Sequence, residues 1–193
     1  PKFTIDIFDA KVKTPDEMST TDIATHAADA IHAAPLEDVY MVGRRGPVEA
    51  KFTNVELREM GELQECTPII DAAQIPDEVP AEEEMSDRDR RLKDKNLGTL
   101  RSFVDAEPAG RKRRVHFQFY ASPVEILGGD TVEGIRLEKT EVRDGRAVGT
   151  GETYDIPCGI VIPAIGYQGQ PLDGVPFDER NGVIQNDEGR VSE

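Results

Sequence analysis

The run Val39-Tyr40-Met41-Val42, closed at once by Gly43, restricts the fold of this chain more than any other stretch. It is short, rich in β-forming residues and apolar without alternation, the pattern of a buried parallel strand that ends in a turn. Helical segments flank it on both sides. Before it, STTDIATHAADAIHAA spaces Ile23, Ala27, Ala30, Ile31 and Ala34 as one helix face, with Ser19 or Thr20 as the N-cap and Pro35 as the stop. After it, Val55, Leu57, Met60 and Leu63 repeat the spacing over 52–63, with Thr53 as the cap. His26 and His32 fall on the first helix but not at i, i+4, so they read as solvated or packing side chains, not as a shared metal site.

The second half of the chain changes period. Residues 76–95 open with PDEVPAEEEM and pass into SDRDRRLKDKNL, which reads as a surface helix pair or mobile insertion, not core. Arg111-Lys112-Arg113-Arg114 then precedes VHFQFYASP. This reads as a hairpin turn followed by a strand that points Val115, Phe117 and Phe119 inward and His116 outward. Basic residues beside aromatics also suit single-stranded nucleic acid, but the hairpin is the simpler account. Segments 124–137 and 142–156 alternate short strands with turns at Leu127-Gly128-Gly129-Asp130 and Arg143-Asp144-Gly145-Arg146, a β-meander with an Asp-Gly hairpin signal. Gly159 to Ile165 reads as a further buried strand. The expected fold class is α/β: a partial dinucleotide-binding, Rossmann-like parallel sheet joined to an antiparallel β-meander.

At 193 residues the chain is long enough to bury a real core. Its 38 acidic against 23 basic residues give a net charge of −15, which argues against a general nucleic-acid or anionic-membrane binder. The sequence has no apolar run approaching the ~20 residues of a membrane span and no secretory leader pattern, so a soluble, cytoplasmic protein is expected. Cys66 and Cys158 are far apart and outside any metal-ligand spacing, and read as small buried side chains.

Charge gathers where ligands bind. Loops at the carboxyl ends of strands in an open α/β sheet carry the ligand site, and here that loop holds Arg44 and Arg45. In a dinucleotide fold an acid at this point holds the ribose hydroxyls of NAD, whereas arginine accommodates the 2′-phosphate of NADP. The planar guanidinium pairs bidentately with phosphate and stays charged, so NADP(H) is expected over NAD(H). Solvated surface arginines are the plainer alternative. Glu56 and Glu59 share a helix face at i, i+3, which an acidic helix edge would also explain.

Taken together, VGRRGPVEAKFTNVELRE at 42–59, HFQFYASPVEI at 116–126 and VIPAIGYQGQPLDGVPFDERNGVI at 161–184 resemble the adrenodoxin-reductase-like family of ferredoxin-NADP reductases. The resemblance runs from about Thr14 to Val191. It implies an FAD domain and an NADP domain that pass a hydride from NADPH to flavin and then single electrons to an iron-sulfur or flavin partner. It also implies roles. Arg44 and Arg45 hold the 2′-phosphate, Glu56 lies near the nicotinamide ribose, and Glu59 is the catalytic carboxylate that assists proton movement beside the flavin. Asp9, closing a strand over Phe3–Phe8, matches the acid that binds the FAD adenosine ribose. Gly166 permits close backbone approach where the chain returns to the FAD domain, with Tyr167 at the junction. The basic edge of Arg88, Arg90, Arg91 and Lys93 would steer an acidic ferredoxin. The implied domains are 1–10 for an FAD-domain strand, 14–160 for the NADP domain and 161–193 for the return segment.

The sequence contains no GxGxxG or GxGxxA, and the family's flavin-binding segment after Gly189-Arg190-Val191 does not follow. The chain therefore reads as an incomplete reductase: a fragment, an engineered deletion or a chain with segments left out. From another class, a non-catalytic nucleotide-binding or protein-interaction module would use the same arginines to hold an anion without redox chemistry.

Overall fold

A computed structural model describes residues 13–19, 21–34, 36–80, 85–106, 110–166 and 169–191. The chain divides into two units, Pro1–Ile162 and Pro163–Glu193. Asp9 and the strand expected over Phe3–Phe8 lie outside the described residues, as does Tyr167.

The described part of the first unit begins with a single helical turn, α1 (Pro15–Met18), held by a capping box between Thr14 and Glu17. Helix α2 (Thr25–Ala33) starts later than the sequence pattern suggests: its N-cap is Ala24, which makes no side-chain capping bond, and Ser19 instead closes α1. Ser19 and Thr21 satisfy the end of α1, their hydroxyls donating to the Asp16 and Met18 carbonyls, so they do not begin the next helix.

Strand β1 (Asp38–Val42), helix α3 (Asn54–Glu62), strand β2 (Cys66–Ile70), helix α4 (Asp87–Arg101) and strand β3 (Arg113–Gln118) form the α/β layer. All three strands are parallel, in the order β1-β3-β2. The basic run at 111–114 is therefore a helix-to-strand connection and not a hairpin turn, because β3 pairs with strands running in its own direction. Those basic side chains are used locally: Arg111 donates to the Cys66 carbonyl at 2.9 Å, and Arg114 pairs with Asp38 at 2.6 Å.

Helix α3 begins where the sequence places it, with Thr53 and Glu56 forming a reciprocal capping box. It buries Leu57 and Met60 against Leu63, Cys66, Ile70, Leu100, Phe103, Val115, Phe117 and Phe119. Phe117 is centred 5.9 Å from the Phe103 ring and 6.3 Å from the Phe119 ring, within the range of favourable aromatic pairs. Burial pushes the Cys66 thiol up to about 12 against the weaker pull of Arg113 and Arg111, so Cys66 is an inert core group. The segment 76–95, expected to lie wholly outside the core, supplies Val79 to it, and the helix that continues beyond supplies Leu97 and Leu100. Helix α4, capped by Ser86, buries Asn96, Leu97 and Leu100 while its other faces carry the charges. The charge density hid an inner face on which apolar residues recur three apart.

A second layer follows at once. Strands β4 (Ala121–Leu127), β5 (Gly134–Arg143) and β6 (Arg146–Pro157) make an antiparallel meander in chain order, with Ala121, Ile135, Leu137 and Ile156 as its core. Arg143 and Arg146 pair across a two-residue turn in which Asp144 (φ 50°) and Gly145 (φ 70°) are both left-handed, as an Asp-Gly type I′ hairpin requires.

Residues 159–165 form no strand. Ile160, Ile162 and Ile165 are exposed, and no described strand pairs with the run. Apolar β-formers make a strand only where a neighbour accepts their backbone bonds. The second unit contains one short hairpin, β7 (Phe177–Asp178) with β8 (Val183–Ile184), whose turn is fastened by the Asp178 carboxylate accepting from the backbone of Arg180 and Asn181.

Candidate nucleotide site

The loop Gly43-Arg44-Arg45-Gly46 leaves the carboxyl end of β1, and its backbone is fixed on nearly every side. The Gly43 N–H donates to the Gln118 carbonyl at 2.8 Å, and the Gly43 carbonyl accepts from Ala121 at 3.1 Å. The Thr140 hydroxyl donates to the Arg44 carbonyl at 2.6 Å, and the Tyr120 N–H donates to the Arg45 carbonyl at 3.2 Å. One guanidinium nitrogen of Arg45 donates to the carbonyl of Gly145, at the hairpin tip, at 3.1 Å. Arg44 is exposed and its guanidinium makes no hydrogen bond to any described residue. The arginine pair thus combines a fixed backbone with one guanidinium free for a ligand.

Tyr120 is what brings the meander against this loop. Its φ of 53° is rare for a bulky residue and marks stored strain. The conformation turns the chain sharply between β3 and β4 and is held by the Thr140 N–H donating to the Tyr120 carbonyl at 2.8 Å. The phenol lies so close to the Cα of Gly46 that any side chain at position 46 would collide with it.

Two clefts adjoin here, and Phe119 lines both. The smaller, of about 200 Å³, lies between the arginine loop and Glu49 and Ala50. The larger, of about 310 Å³, lies beyond β2 and β3 and is lined by Asp71, Gln74, Gln118, Lys139, Thr140 and Tyr154 among others. Gln74 is fixed as its wall, accepting from the Phe119 N–H at 2.6 Å.

The expected site residues are not all gathered in one place. Arg44 and Arg45 line the smaller cleft, whereas Glu56 and Glu59 sit on α3 and line neither. Glu56 is already engaged: one carboxylate oxygen accepts from the Thr53 N–H at 2.8 Å and the Thr53 hydroxyl at 2.9 Å. Its other oxygen has no described partner. Glu59 is exposed. Gly166 has a φ of 121°, open to glycine alone, and belongs to the second unit. Of the basic edge on α4, Arg90 is tied back to the carbonyls of Val79 and Pro80, at 3.0 and 3.2 Å, and Lys93 to that of Val48. Arg88 and Arg91 remain exposed. Sequence reasoning passed over Glu49, four residues past Arg45 and in the same cleft, and Tyr120 and Thr140, which only the fold brings to the arginines.

No protein-family model matches the sequence. Individual relatives do. NADPH-ferredoxin reductase FprA of Mycobacterium tuberculosis is 36% identical over 97% of this chain and 42% of its own length. Mitochondrial NADPH:adrenodoxin oxidoreductase of Arabidopsis thaliana is 35% identical over 97% of this chain and 41% of its own. The solved structure of Mycobacterium tuberculosis FprA in complex with NADPH superposes with a TM-score of 0.85, at 36% identity, over 97% of this chain and 42% of that one. Over 97% of its length the chain is similar to NADPH-ferredoxin and NADPH:adrenodoxin reductases. It spans about two fifths of the length of these relatives. The parallel sheet with its antiparallel meander, expected from the strand pattern, is the architecture shared with FprA.

Proposed function

We propose that this chain forms the NADP(H)-binding portion of a flavin-dependent ferredoxin-NADP reductase, with the NADP domain over 14–160 and 161–193 leading back toward the FAD domain. The observation that carries this reading is the arginine loop: a strand-end turn pinned by four backbone carbonyl and amide bonds, presenting Arg44 and Arg45 to an open cleft. An anion there meets charge-assisted donors already in place, at little cost in reorganisation. The cleft accepts a phosphate, because the exposed Arg44 guanidinium has no internal partner to give up.

Within this reading Arg44 and Arg45 hold the 2′-phosphate. Glu56 offers its uncommitted oxygen to the nicotinamide end, and the exposed Glu59 handles a proton beside the flavin. Asp9 and Gly166 belong to the flavin side. When bound, NADPH supplies a hydride and FAD accepts it; the chain's own residues bind, orient and move the proton. The names of the relatives, NADPH-ferredoxin reductase and NADPH:adrenodoxin oxidoreductase, support a small electron-transfer protein as the partner. Arg88 and Arg91 are the steering charges, and Arg90 is the anchor that holds their helix. No helix among the described residues is long and apolar enough to cross a membrane, which is compatible with a cytoplasmic location.

The test is binding. NADPH is expected to bind far more tightly than NADH, with Arg44→Ala removing most of the difference. Losing a charge-assisted pair of this kind costs about 1.5–3 kcal/mol, roughly ten- to a hundredfold in affinity. Equal affinities of the unmodified protein for the two nucleotides, measured by calorimetry, would remove the reading.

A further inference from the structure

Glu49 is a charged group with no internal explanation. It follows Pro47 and Val48, both buried, and the Val48 carbonyl is fixed by Lys93, so the backbone that carries Glu49 is anchored. Its side chain lines the same cleft as Arg44 and Arg45, yet it forms no ion pair with either. One carboxylate oxygen, Oε2, is buried and has no hydrogen-bond partner among the described residues. A buried carboxylate oxygen left unpaired is costly, and the side chain that carries it lines the cleft. The Tyr120 phenol is raised by burial and by the Glu49 charge and so stays neutral.

We propose that Glu49 is a specificity-determining residue of the arginine cleft, accepting a hydrogen bond from a ribose hydroxyl of the bound nucleotide and so moderating the preference for a 2′-phosphate. The inference rests on the nucleotide reading above. Its physical basis is that an acid and an arginine at this strand end favour opposite cofactors: the acid accepts from the free hydroxyls of NADH, whereas arginine pairs with the added phosphate of NADPH. Most of such a site's discrimination comes from which groups are left unpaired or repelled. Here both chemistries face one space of about 200 Å³. The carboxylate opposes a phosphate brought beside it and rewards a hydroxyl, so the protein retains measurable affinity for NADH while still preferring NADPH.

Glu49→Gln preserves shape and removes the charge. Calorimetric titration of NADPH and NADH into the unmodified protein and the variant should show NADH weakened and NADPH tightened, widening the ratio of their dissociation constants by about three- to tenfold. An unchanged ratio, an equal loss for both nucleotides, or a loss for NADPH alone would overturn the proposal. Glu49→Ala, read by the same ratio, decides the matter where the glutamine variant does not fold. Arg45→Ala separates the two levels of argument. If the unmodified protein shows no preference for NADPH and Arg45→Ala changes nothing, the nucleotide reading has failed. If that preference is present and arginine-dependent but Glu49→Gln leaves it unchanged, only the role of Glu49 has failed.

Discussion

Asp38 lies between two cations, one permanent and one conditional. Arg114 reaches it with two parallel hydrogen bonds of 2.6 and 2.7 Å, and the His116 ring nitrogen Nε2 lies 2.7 Å from the same carboxylate while Tyr40 stacks on the imidazole at 4.5 Å. The bonds from Arg114, followed by that from His116, hold the Asp38 carboxyl down to about 2, against a partial burial that pushes the other way. A carboxyl depressed by folding stabilises the native state above its unfolded value, near 4, and that contribution disappears as pH falls through 2. We therefore expect Asp38→Asn to lower stability by on the order of 1 kcal/mol at pH 7, a discounted figure for a half-exposed pair. The difference between variant and unmodified protein should narrow steadily from pH 4 downward and close only below pH 2. Chemical denaturation across that range measures it, and a gap at pH 2 as large as that at pH 4 contradicts the assignment.

At the scale of elements, the segments that sequence alone placed well were those in which local chemistry and packing agree. Helix α3 carries its cap, its capping partner and its apolar face within a dozen residues, and the Asp144-Gly145 turn needs only its own two left-handed residues. Thr53→Ala removes the hydroxyl that accepts from the Glu56 N–H at 3.2 Å and donates to the Glu56 carboxylate at 2.9 Å. It should cost about 1 kcal/mol, seen as a lower denaturation midpoint at unchanged slope, whereas Thr53→Ser should be close to neutral. Elements that depend on distant partners were misread. The apolar residues of 159–165 have the composition of a strand but no neighbour to pair with. The inner face of α4 was masked by its surface charge, and the parallel pairing of β3 is invisible to any local pattern. The site divides in the same way: Arg44 and Arg45 were legible as a strand-end motif, whereas Tyr120 and Thr140 reach them from about 75 and 95 positions away, over distances no spacing rule covers.

For the whole molecule, the division into Pro1–Ile162 and Pro163–Glu193 falls in the one long run of the described chain that is both exposed and free of regular structure on the two sides of the boundary. Exposed backbone without hydrogen bonds is where proteases cut first. Brief digestion with a protease of broad specificity should give a first product ending between Gly159 and Gly166, identified by mass. A first cut inside the meander would show that the run is better protected than its exposure implies. The same scale frames the charge: a body of net −15 repels an anionic ligand at a distance, so the arginine cleft has to act at contact range.

The hydrogen bond from Arg45 to the carbonyl of Gly145 joins the anion loop to the tip of a surface hairpin. Hairpin tips are the part of a sheet that tolerates insertion and deletion most readily, while strand-end loops under a packed tyrosine tolerate it least. If Arg45 holds the nucleotide as proposed, cofactor choice is open to adjustment from the scaffold's most permissive surface: a lineage that lengthens or shortens the turn at 144–145 re-aims an arginine without ever changing it.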